Sequence, residues 1–379
     1  MSDIIRIDKP NNSTLLNKGR LEDLAGKVKE LEVDLVIIDG KLTPIQQRNL
    51  ERYIKIKVID RTRLILDIFE KRASTREGAL QVELAQLDYQ KTRLVKSWTH
   101  LERQRGALSF IGGPGESQLE IDKRLINDQI IKVKKKLKEF NNTRQLHRNQ
   151  RSKKPYCIVA LVGYTNAGKS TLFNALTGEE VLSKDMLFAT LDTKMKRLNY
   201  TNAKNIILSD TVGFISELPT ELVMAFRSTL EEVLYADIVI NVRDLSSRYH
   251  DVQNLDVINT IDQIGKEVTS GNYIEVLNKI DLVEEGTLEL IKKNKADNQV
   301  LISSVTGKGL DDLLQLIEKK INIENEIHEL QLDYTKSSIE NWLYENATVL
   351  NKEYKDKHIS FKFQISKRNH TRLLSLISK

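Results

Sequence analysis

Cysteine and long apolar runs are nearly absent from this sequence, and both absences narrow the class of protein. Cys157 is the single cysteine among 379 residues, so no disulfide can form within the chain. No stretch offers the roughly 18 uninterrupted apolar residues of a membrane span. The segment 1–10 mixes acidic and basic residues and has no apolar core, unlike a secretory signal. These absences together predict a cytoplasmic protein.

Metal-binding patterns are also lacking. The six histidines are scattered and have neither a helical pair spacing nor cysteine neighbours, so a zinc site is not expected. The formal net charge is +6, and this moderate basicity is compatible with a polyanionic partner such as RNA. Charge alone decides little, because many lysine-rich proteins have no such partner.

The length of the chain exceeds what one compact core usually holds, and the pattern divides it into four regions. Residues 1–72 predict a small α/β domain, with a buried strand at Val33–Ile38, a helix opened by Thr43 and Pro44, and a further strand at Lys57–Asp60. Together with the third region, described below, this pattern predicts an α/β protein built around a mostly parallel sheet.

The second region, 73–152, carries apolar residues in alternating steps of four and three, which predicts two long helices paired as an antiparallel hairpin. A glycine-rich loop, 106–116, lies between them. Five lysines crowd the second helix: Lys132, Lys134, Lys135, Lys136 and Lys138. They indicate either an ordinary solvated helix or a surface that contacts the RNA backbone.

The third region, 153–323, alternates strand and helix patterns as a parallel α/β domain does, with helices on both faces of the sheet. The fourth region, 326–379, predicts a small α+β domain with a strand, a helix, two strands and a short helix.

The third region opens with a phosphate-binding motif. Gly163–Ser170 fits G-x-x-x-x-G-K-S, follows an apolar strand and precedes an amphipathic helix. Its residues are Gly163, Tyr164, Thr165, Asn166, Ala167, Gly168, Lys169 and Ser170, followed by Thr171. The glycines let backbone N–H groups surround phosphates, Lys169 neutralises the β- and γ-phosphates, and the Ser170 hydroxyl is a ligand for Mg²⁺.

A second motif follows the strand 205–209. It consists of Asp210, Thr211, Val212 and Gly213. Asp210 is placed to hold the Mg²⁺ shell through water, and the Gly213 N–H can reach the γ-phosphate. D-x-x-G is common by chance, and its value comes from its place at a strand end, 40 residues after Ser170.

A third motif selects the base. It consists of Asn278, Lys279, Ile280 and Asp281 after an apolar strand. The Asp281 carboxylate can accept two hydrogen bonds from guanine, a donor pair that adenine lacks. Asn278 is expected to brace the loop and Lys279 to lie along the base. The segment that follows the next strand, Ser303, Ser304 and Val305, is expected to contact the guanine oxygen through its backbone.

Between the first two motifs lies the segment Phe188, Ala189, Thr190, Leu191 and Asp192. Thr190 is the candidate for closing over the γ-phosphate and completing the Mg²⁺ shell, and Thr193 is the alternative. Lys169, Thr190 and Gly213 are the catalytic candidates. Such a segment would be ordered by the triphosphate and released after hydrolysis.

Phe214 follows Gly213, where Ras-like enzymes place a glutamine that orients water. Phenylalanine cannot orient water, so unassisted hydrolysis is expected to be slow. Asn166 is a candidate ligand for K⁺ near the phosphates, or it serves only to shape the loop.

With these motifs in view, the chain resembles the HflX family of ribosome-associated GTPases. The resemblance runs from about Lys18 to the end and rests mainly on upstream signatures. These are Asp60–Thr62, Leu66–Phe69, Gln81–Leu87, and Gly112, Gly113, Pro114, Gly115 and Glu116 with Gln118, joined by the segment Phe188–Asp192.

The resemblance implies a function beyond nucleotide binding. Family members bind the large ribosomal subunit and can split stalled ribosomes, so Gly112–Glu116 would contact ribosomal RNA. GTP would favour the bound form and hydrolysis would release it. The first domain looks clipped beside the family pattern, Thr193 stands where proline is usual, and Ser304 stands where alanine is commoner. The last change is expected to be mild because the contact uses backbone.

Two other functions fit the same residues. One is an RNA-binding or ribosome-assembly protein with negligible turnover, and the other is a GTPase that acts on free RNA. Each of these functions is compatible with a monomer that uses Mg²⁺.

Overall fold

A computed structural model of the chain describes residues 4, 5, 7, 9–98, 118–151, 156–178, 193–198, 206–211, 213–214, 232–266, 271–323, 325–334, 337–355 and 358–377. The glycine-rich loop 106–116, the segment Phe188–Asp192 and Val212 lie outside these residues. The chain divides into two compact units, the first formed mainly by residues 1–141 and the second mainly by 142–379.

The first unit begins with a small α/β arrangement. Its elements are α1 (Lys18–Glu30), β1 (Leu35–Ile38), α2 (Pro44–Ile54), β2 (Lys57–Asp60) and α3 (Arg61–Arg72). The predicted start of α2 is confirmed. The Thr43 hydroxyl accepts from the Gln46 N–H at 3.2 Å, the Gln46 side chain accepts from the Thr43 N–H at 2.9 Å, and Pro44 occupies the first turn.

The expectation that Val33–Ile38 forms a buried strand is correct in location and wrong in burial. β1 pairs in parallel with β2 alone, in a two-stranded sheet. Val36 and Ile38 pack against the core of this unit, whereas Leu35 and Ile37 are 39% and 47% exposed. The two exposed side chains alternate with the packed ones, so they lie on the face opposite that core.

Two long helices complete the first unit, α4 (Arg76–Trp98) and α5 (Gln118–Arg151). Leu84 and Leu87 of α4 form a buried cluster with Ile130 and Val133 of α5. Further along, a groove of about 450 Å³ is lined by late residues of α4 and early residues of α5, among them Gln90, Leu94, Asp122 and Ile126. Late residues therefore face early ones, which confirms the antiparallel hairpin.

A buried polar network ties α4 to the α/β part of the first unit. Arg93 donates to the Asp60 carboxylate at 2.5 Å, to the Leu42 carbonyl at 3.2 Å and to the Gln47 side chain. Asp60 also accepts from the Tyr89 hydroxyl at 2.8 Å, and its side chain is only 3% exposed. Burial, reinforced by the Asp60 charge, raises the pKa of Tyr89. The hairpin is thus held by charge-assisted hydrogen bonds as well as by apolar packing.

The second unit contains a six-stranded sheet in the order β4-β5-β3-β6-β7-β8. Its strands are β3 (Cys157–Gly163), β4 (Lys194–Arg197), β5 (Ile206–Asp210), β6 (Ile238–Asp244), β7 (Tyr273–Asn278) and β8 (Gln299–Leu301). The strands expected in front of the motif residues, β3, β5, β7 and β8, are all present. The short edge strand β4 was missed; it pairs antiparallel with β5, and its largely exposed sequence has no apolar run to mark it.

Helices cover both faces of this sheet, as a doubly wound fold requires. They are α6 (Lys169–Thr177), α7 (His250–Gln263), α8 (Glu285–Lys293) and α9 (Leu310–Ile323). Apolar residues of α6 and α9, such as Leu172 and Leu313, pack on one face. Val257 and Ile261 of α7 pack on the other. Because β3, β5, β6, β7 and β8 are parallel, their carboxyl ends meet at one edge.

The C-terminal part of the second unit has its own core, centred on Phe361, Phe363 and Leu343. Its elements are β9 (Asn325–Asp333), α10 (Ser337–Asn346), β10 (Thr348–Tyr354), β11 (His358–Ser366) and α11 (Lys367–Ile377), and the strands form an antiparallel sheet in the order β10-β11-β9. This matches the predicted α+β order. Within the described part of the chain, none of the helices is both long and apolar enough to cross a membrane.

Replacing Arg93 by methionine is expected to lower the free energy of unfolding of the first unit by about 3 kcal/mol, because the buried Asp60 carboxylate loses its charged partner. Urea unfolding followed by Trp98 fluorescence in a Trp342→Phe background measures this loss. Arg63→Met, which removes a partly exposed ion pair with Asp67, is the control and should cost less than about 1 kcal/mol. Equal losses in the two variants would contradict the network.

Candidate nucleotide-binding site

The three sequence motifs meet at the carboxyl edge of the six-stranded sheet. Gly163 ends β3, Asp210 ends β5 and Asn278 ends β7. The segment 303–305 follows β8 at the same edge. The fold therefore gathers motifs that are far apart in the chain at the position where open α/β sheets bind ligands.

The phosphate loop runs from the end of β3 to the start of α6. Lys169 begins the helix, and its ammonium donates to the carbonyls of Gly163 at 3.1 Å and Tyr164 at 2.8 Å. Lys169 is only 6% exposed, and this burial lowers its pKa to about 8, although Asp210 acts in the opposite direction. A phosphate beside this ammonium would supply the negative charge that the loop carbonyls only approximate.

Glycine is favoured at two points of the site. A Cβ on Gly168, whose φ is +95°, would lie 2.3 Å from the Asn278 side-chain nitrogen. A Cβ on Gly213 would lie 3.0 Å from the Lys169 ammonium and 3.0 Å from the Thr165 Cγ2 atom. At Gly168 the positive φ and the close approach both disfavour a side chain, whereas at Gly213 an added atom would be in tight contact with its neighbours.

Two oxygen donors suited to a hard divalent cation lie side by side. The Ser170 hydroxyl donates to the Asp210 carboxylate at 2.9 Å, and Asp210 is 1% exposed. The Thr211 hydroxyl donates to the Leu161 carbonyl at 2.6 Å, which fixes the end of β5 against β3. A hydroxyl and a carboxylate next to a phosphate loop are a donor set that fits Mg²⁺.

Asn278 connects the base-reading motif to the phosphate loop. Its side-chain nitrogen donates to the Ala167 carbonyl at 2.8 Å. Its side-chain oxygen accepts from the Ser304 N–H at 3.0 Å and from the Ser304 hydroxyl at 2.9 Å. Asn278 is 1% exposed, so all three bonds are shielded from water. This geometry is the bracing that the sequence suggested.

Ser304 in place of alanine was expected to be a mild change, and its hydroxyl adds a bond to Asn278 that alanine could not make. The Ser303 N–H donates to the Lys308 carbonyl at 2.9 Å, so it too is engaged. Val305 is 80% exposed. A guanine oxygen at this loop would share the Ser304 N–H with Asn278 or bind the Val305 N–H.

The remaining base-reading residues lie at the surface of this edge. Asp281 is exposed in a 3₁₀ turn, Ile280–Leu282, and its carboxylate is accessible to a base. The Lys279 ammonium lies 2.8 Å from a carboxylate oxygen of Asp244, the last residue of β6. Sequence reasoning missed Asp244, although an acidic residue directly after an apolar strand at this edge was a usable signal.

Phe214 is not part of the reaction surface. Its side chain is 2% exposed and belongs to the core between the sheet and α7. Its backbone carbonyl accepts from the Thr165 N–H at 2.7 Å, and its N–H donates to the Gly163 carbonyl at 3.0 Å. Phe214 therefore fastens the second motif to the phosphate loop. Asn166 is exposed on that loop, with a φ of 62°.

Several candidate residues cannot be placed in this geometry. Thr190 and the rest of Phe188–Asp192, Val212, and the loop residues Gly112–Glu116 all lie outside the described part of the chain. Thr193, the alternative to Thr190, is described and precedes β4.

A phosphate loop, a paired hydroxyl and carboxylate, and an Asn-Lys-x-Asp motif at one sheet edge define a P-loop GTPase. Four family models cover most of the chain: "GTP-binding GTPase N-terminal" (residues 2–70), "GTP-binding GTPase Middle Region" (72–151), "50S ribosome-binding GTPase" (158–279) and "HflX C-terminal domain" (289–375).

Two individual relatives agree with these matches. GTPase HflX of Magnetococcus marinus is 47% identical over 84% of this chain and 73% of its own length. GTPase HflX of Caldanaerobacter subterraneus is 42% identical over 97% of this chain and 84% of its own length. A solved GTP-binding protein of Sulfolobus solfataricus in complex with GDP is 25% identical, with a TM-score of 0.43 over 83% of this chain and 88% of that one. The chain belongs to the HflX GTPase family, and it is a GTP-hydrolysing enzyme.

The lowered pKa of Lys169 predicts proton uptake on nucleotide binding. Near pH 8.5 much of the free protein has a neutral Lys169, and diphosphate charge favours the ammonium, so GDP binding should take up a fraction of a proton. Calorimetry at about pH 8.5 in buffers of different ionisation enthalpy measures the uptake. A Lys169→Arg variant, whose side chain stays charged, should show none. Identical heats in all buffers for the unaltered protein would refute the assignment.

Proposed function

We propose that this GTPase binds the large ribosomal subunit and acts on stalled or idle ribosomes, splitting them into subunits. In this proposal GTP binding favours the ribosome-bound form and hydrolysis releases the protein. The match of residues 158–279 to a family described as a 50S ribosome-binding GTPase supports the partner. The resemblance of the upstream signatures to the HflX family supports the splitting activity.

The observation that carries the proposal is the charge on α5. Lys132, Lys134, Lys135, Lys136 and Lys138 are all exposed, whereas Val133 between them is buried against α4. Packing uses one face of the helix and leaves a dense row of cations on the rest. Such a row suits phosphate contacts, in which each lysine displaces counterions from the RNA. The loop residues Gly112–Glu116, between α4 and α5 in the chain, are the proposed contact with ribosomal RNA.

The nucleotide roles follow from the site. We assign Gly163–Thr171 to the phosphates, Asp210–Gly213 to the γ-phosphate side, and Asn278–Asp281 with Ser303–Val305 to guanine. Ser170 and Thr190 would hold Mg²⁺, with Asp210 acting through water; when bound, the ion neutralises charge on the β- and γ-phosphates. The segment Phe188–Asp192 would close over the nucleotide.

Hydrolysis is proposed to be slow without the ribosome. Lys169, Thr190 and Gly213 stabilise the γ-phosphate as charge develops, but the burial of Phe214 supports the absence of a water-orienting side chain at that position. A group supplied by the ribosome, or K⁺ held by Asn166, would complete the reaction.

We place the protein in the cytoplasm as a monomer, with domains at 1–72, 73–152, 153–323 and 326–379.

The same burial of Phe214 favours a second candidate function. A GTP-dependent RNA-binding or ribosome-assembly protein would use nucleotide occupancy as its signal and need negligible turnover. It would bind naked ribosomal RNA as well as intact subunits. The ribosome-acting GTPase would bind intact subunits and not naked RNA.

Charge reversal on α5 tests the ribosome contact. A Lys134→Glu, Lys135→Glu, Lys138→Glu variant should bind large subunits at least about tenfold more weakly and with a smaller salt dependence, because phosphate contacts are lost. Co-sedimentation with purified large subunits at several salt concentrations measures both, and GDP affinity should not change.

The matched control is Lys292→Glu, Lys293→Glu, which reverses two exposed lysines at the end of α8. It should bind subunits like the unaltered protein. If both variants lost the same affinity per charge, the α5 surface would have no special role.

A further inference from the structure

The Lys279 side chain is held by Asp244, a residue that lies outside the nucleotide motifs. Its ammonium lies 2.8 Å from the Asp244 Oδ2 atom, and the two side chains are only 22% and 17% exposed. A charged pair this sheltered keeps more of its attraction than a surface pair does.

The Asp244 carboxylate is itself fixed by the turn that follows β6. Its Oδ1 atom accepts from the Ser246 N–H at 3.0 Å and from the Ser246 hydroxyl at 2.6 Å. The other oxygen is thereby directed to Lys279. Local bonds of this kind reduce the rotamer freedom of an aspartate, so the lysine meets a preset anion.

The backbone places the two residues at the same level of the sheet. Asp244 is in register with Asn278 in the parallel β6–β7 pair, and the Leu245 N–H donates to the Asn278 carbonyl at 3.0 Å. Lys279 then turns away with a φ of 62°. Its alkyl chain thus has one end set by the strand and the other by Asp244.

We propose that Asp244 is a positioning residue for guanine-nucleotide binding, which holds the Lys279 side chain along the face of the base. The inference rests on the assignment of Asn278–Asp281 as the base-reading element. Asp281 would still determine the selectivity for guanine, whereas the Asp244–Lys279 pair would determine the dissociation rate of the bound nucleotide.

Asp244→Asn is the test variant, because it keeps the size of the side chain and can still accept from Ser246 but loses the charge. We expect a GDP dissociation rate about fivefold to tenfold higher, measured by displacement of a fluorescent GDP analogue from the full-length protein. Asp251→Asn is the matched control, since Asp251 pairs with Arg243 and not with Lys279. It should leave the rate unchanged.

A double-mutant cycle with Lys279→Met separates positioning from general loosening of the fold. If Asp244 acts through Lys279, adding Asp244→Asn to Lys279→Met should change the dissociation rate by less than about twofold. Full additivity, or no effect of Asp244→Asn alone beside a clear effect of Lys279→Met, would overturn the inference while leaving the site assignment intact. If Lys279→Met and Asp281→Asn both left GDP binding unchanged, the base-reading assignment would fail and the inference with it.

Discussion

The side-chain amide of Asn278 is the interaction on which the nucleotide site depends. It ends one strand, donates to the phosphate loop through the Ala167 carbonyl, and accepts twice from Ser304 beyond the next strand. The proposed phosphate loop and the proposed base-reading motif are therefore joined in one buried hydrogen-bonded unit. Because Asn278 is almost fully excluded from water, breaking any of these bonds would leave a buried polar group unsatisfied, which costs more than the bond itself contributes.

Buried charge gives the site its second property. Lys169 donates to two carbonyls of its own loop and has a lowered pKa, so the protein without nucleotide keeps a cation in a place that disfavours it. A phosphate removes that penalty. Phe214 anchors the neighbouring strand end to the same loop by backbone bonds and contributes its ring to the core. The site is thus arranged to bind a phosphate, whereas position 214 has no side chain that could orient water.

Much of this was readable from the sequence, because local patterns carry it. The motif residues from Gly163 to Ser170 and from Asn278 to Asp281 follow apolar strands, and strands of a parallel sheet end at one edge. The contacts that could not be predicted depend on the register between segments that are distant in the sequence. The Asp244–Lys279 pair and the bond from Arg93 to Asp60 arise only when separate elements align. The exposure of Leu35 and Ile37 depends on how many strands and layers surround β1, which no local pattern reports.

We propose that the nucleotide site serves action on the ribosome and not occupancy alone. Steady-state GTP turnover, with K⁺ or Na⁺ as the only monovalent cation and with or without purified large ribosomal subunits, tests it most directly. We expect slow turnover by the protein alone and stimulation of at least about tenfold by subunits, since a partner must supply what Phe214 cannot. Faster turnover in K⁺ would support Asn166 as an ion ligand. Tight GTP binding without stimulation in either salt would refute action on the ribosome and favour the RNA-binding alternative.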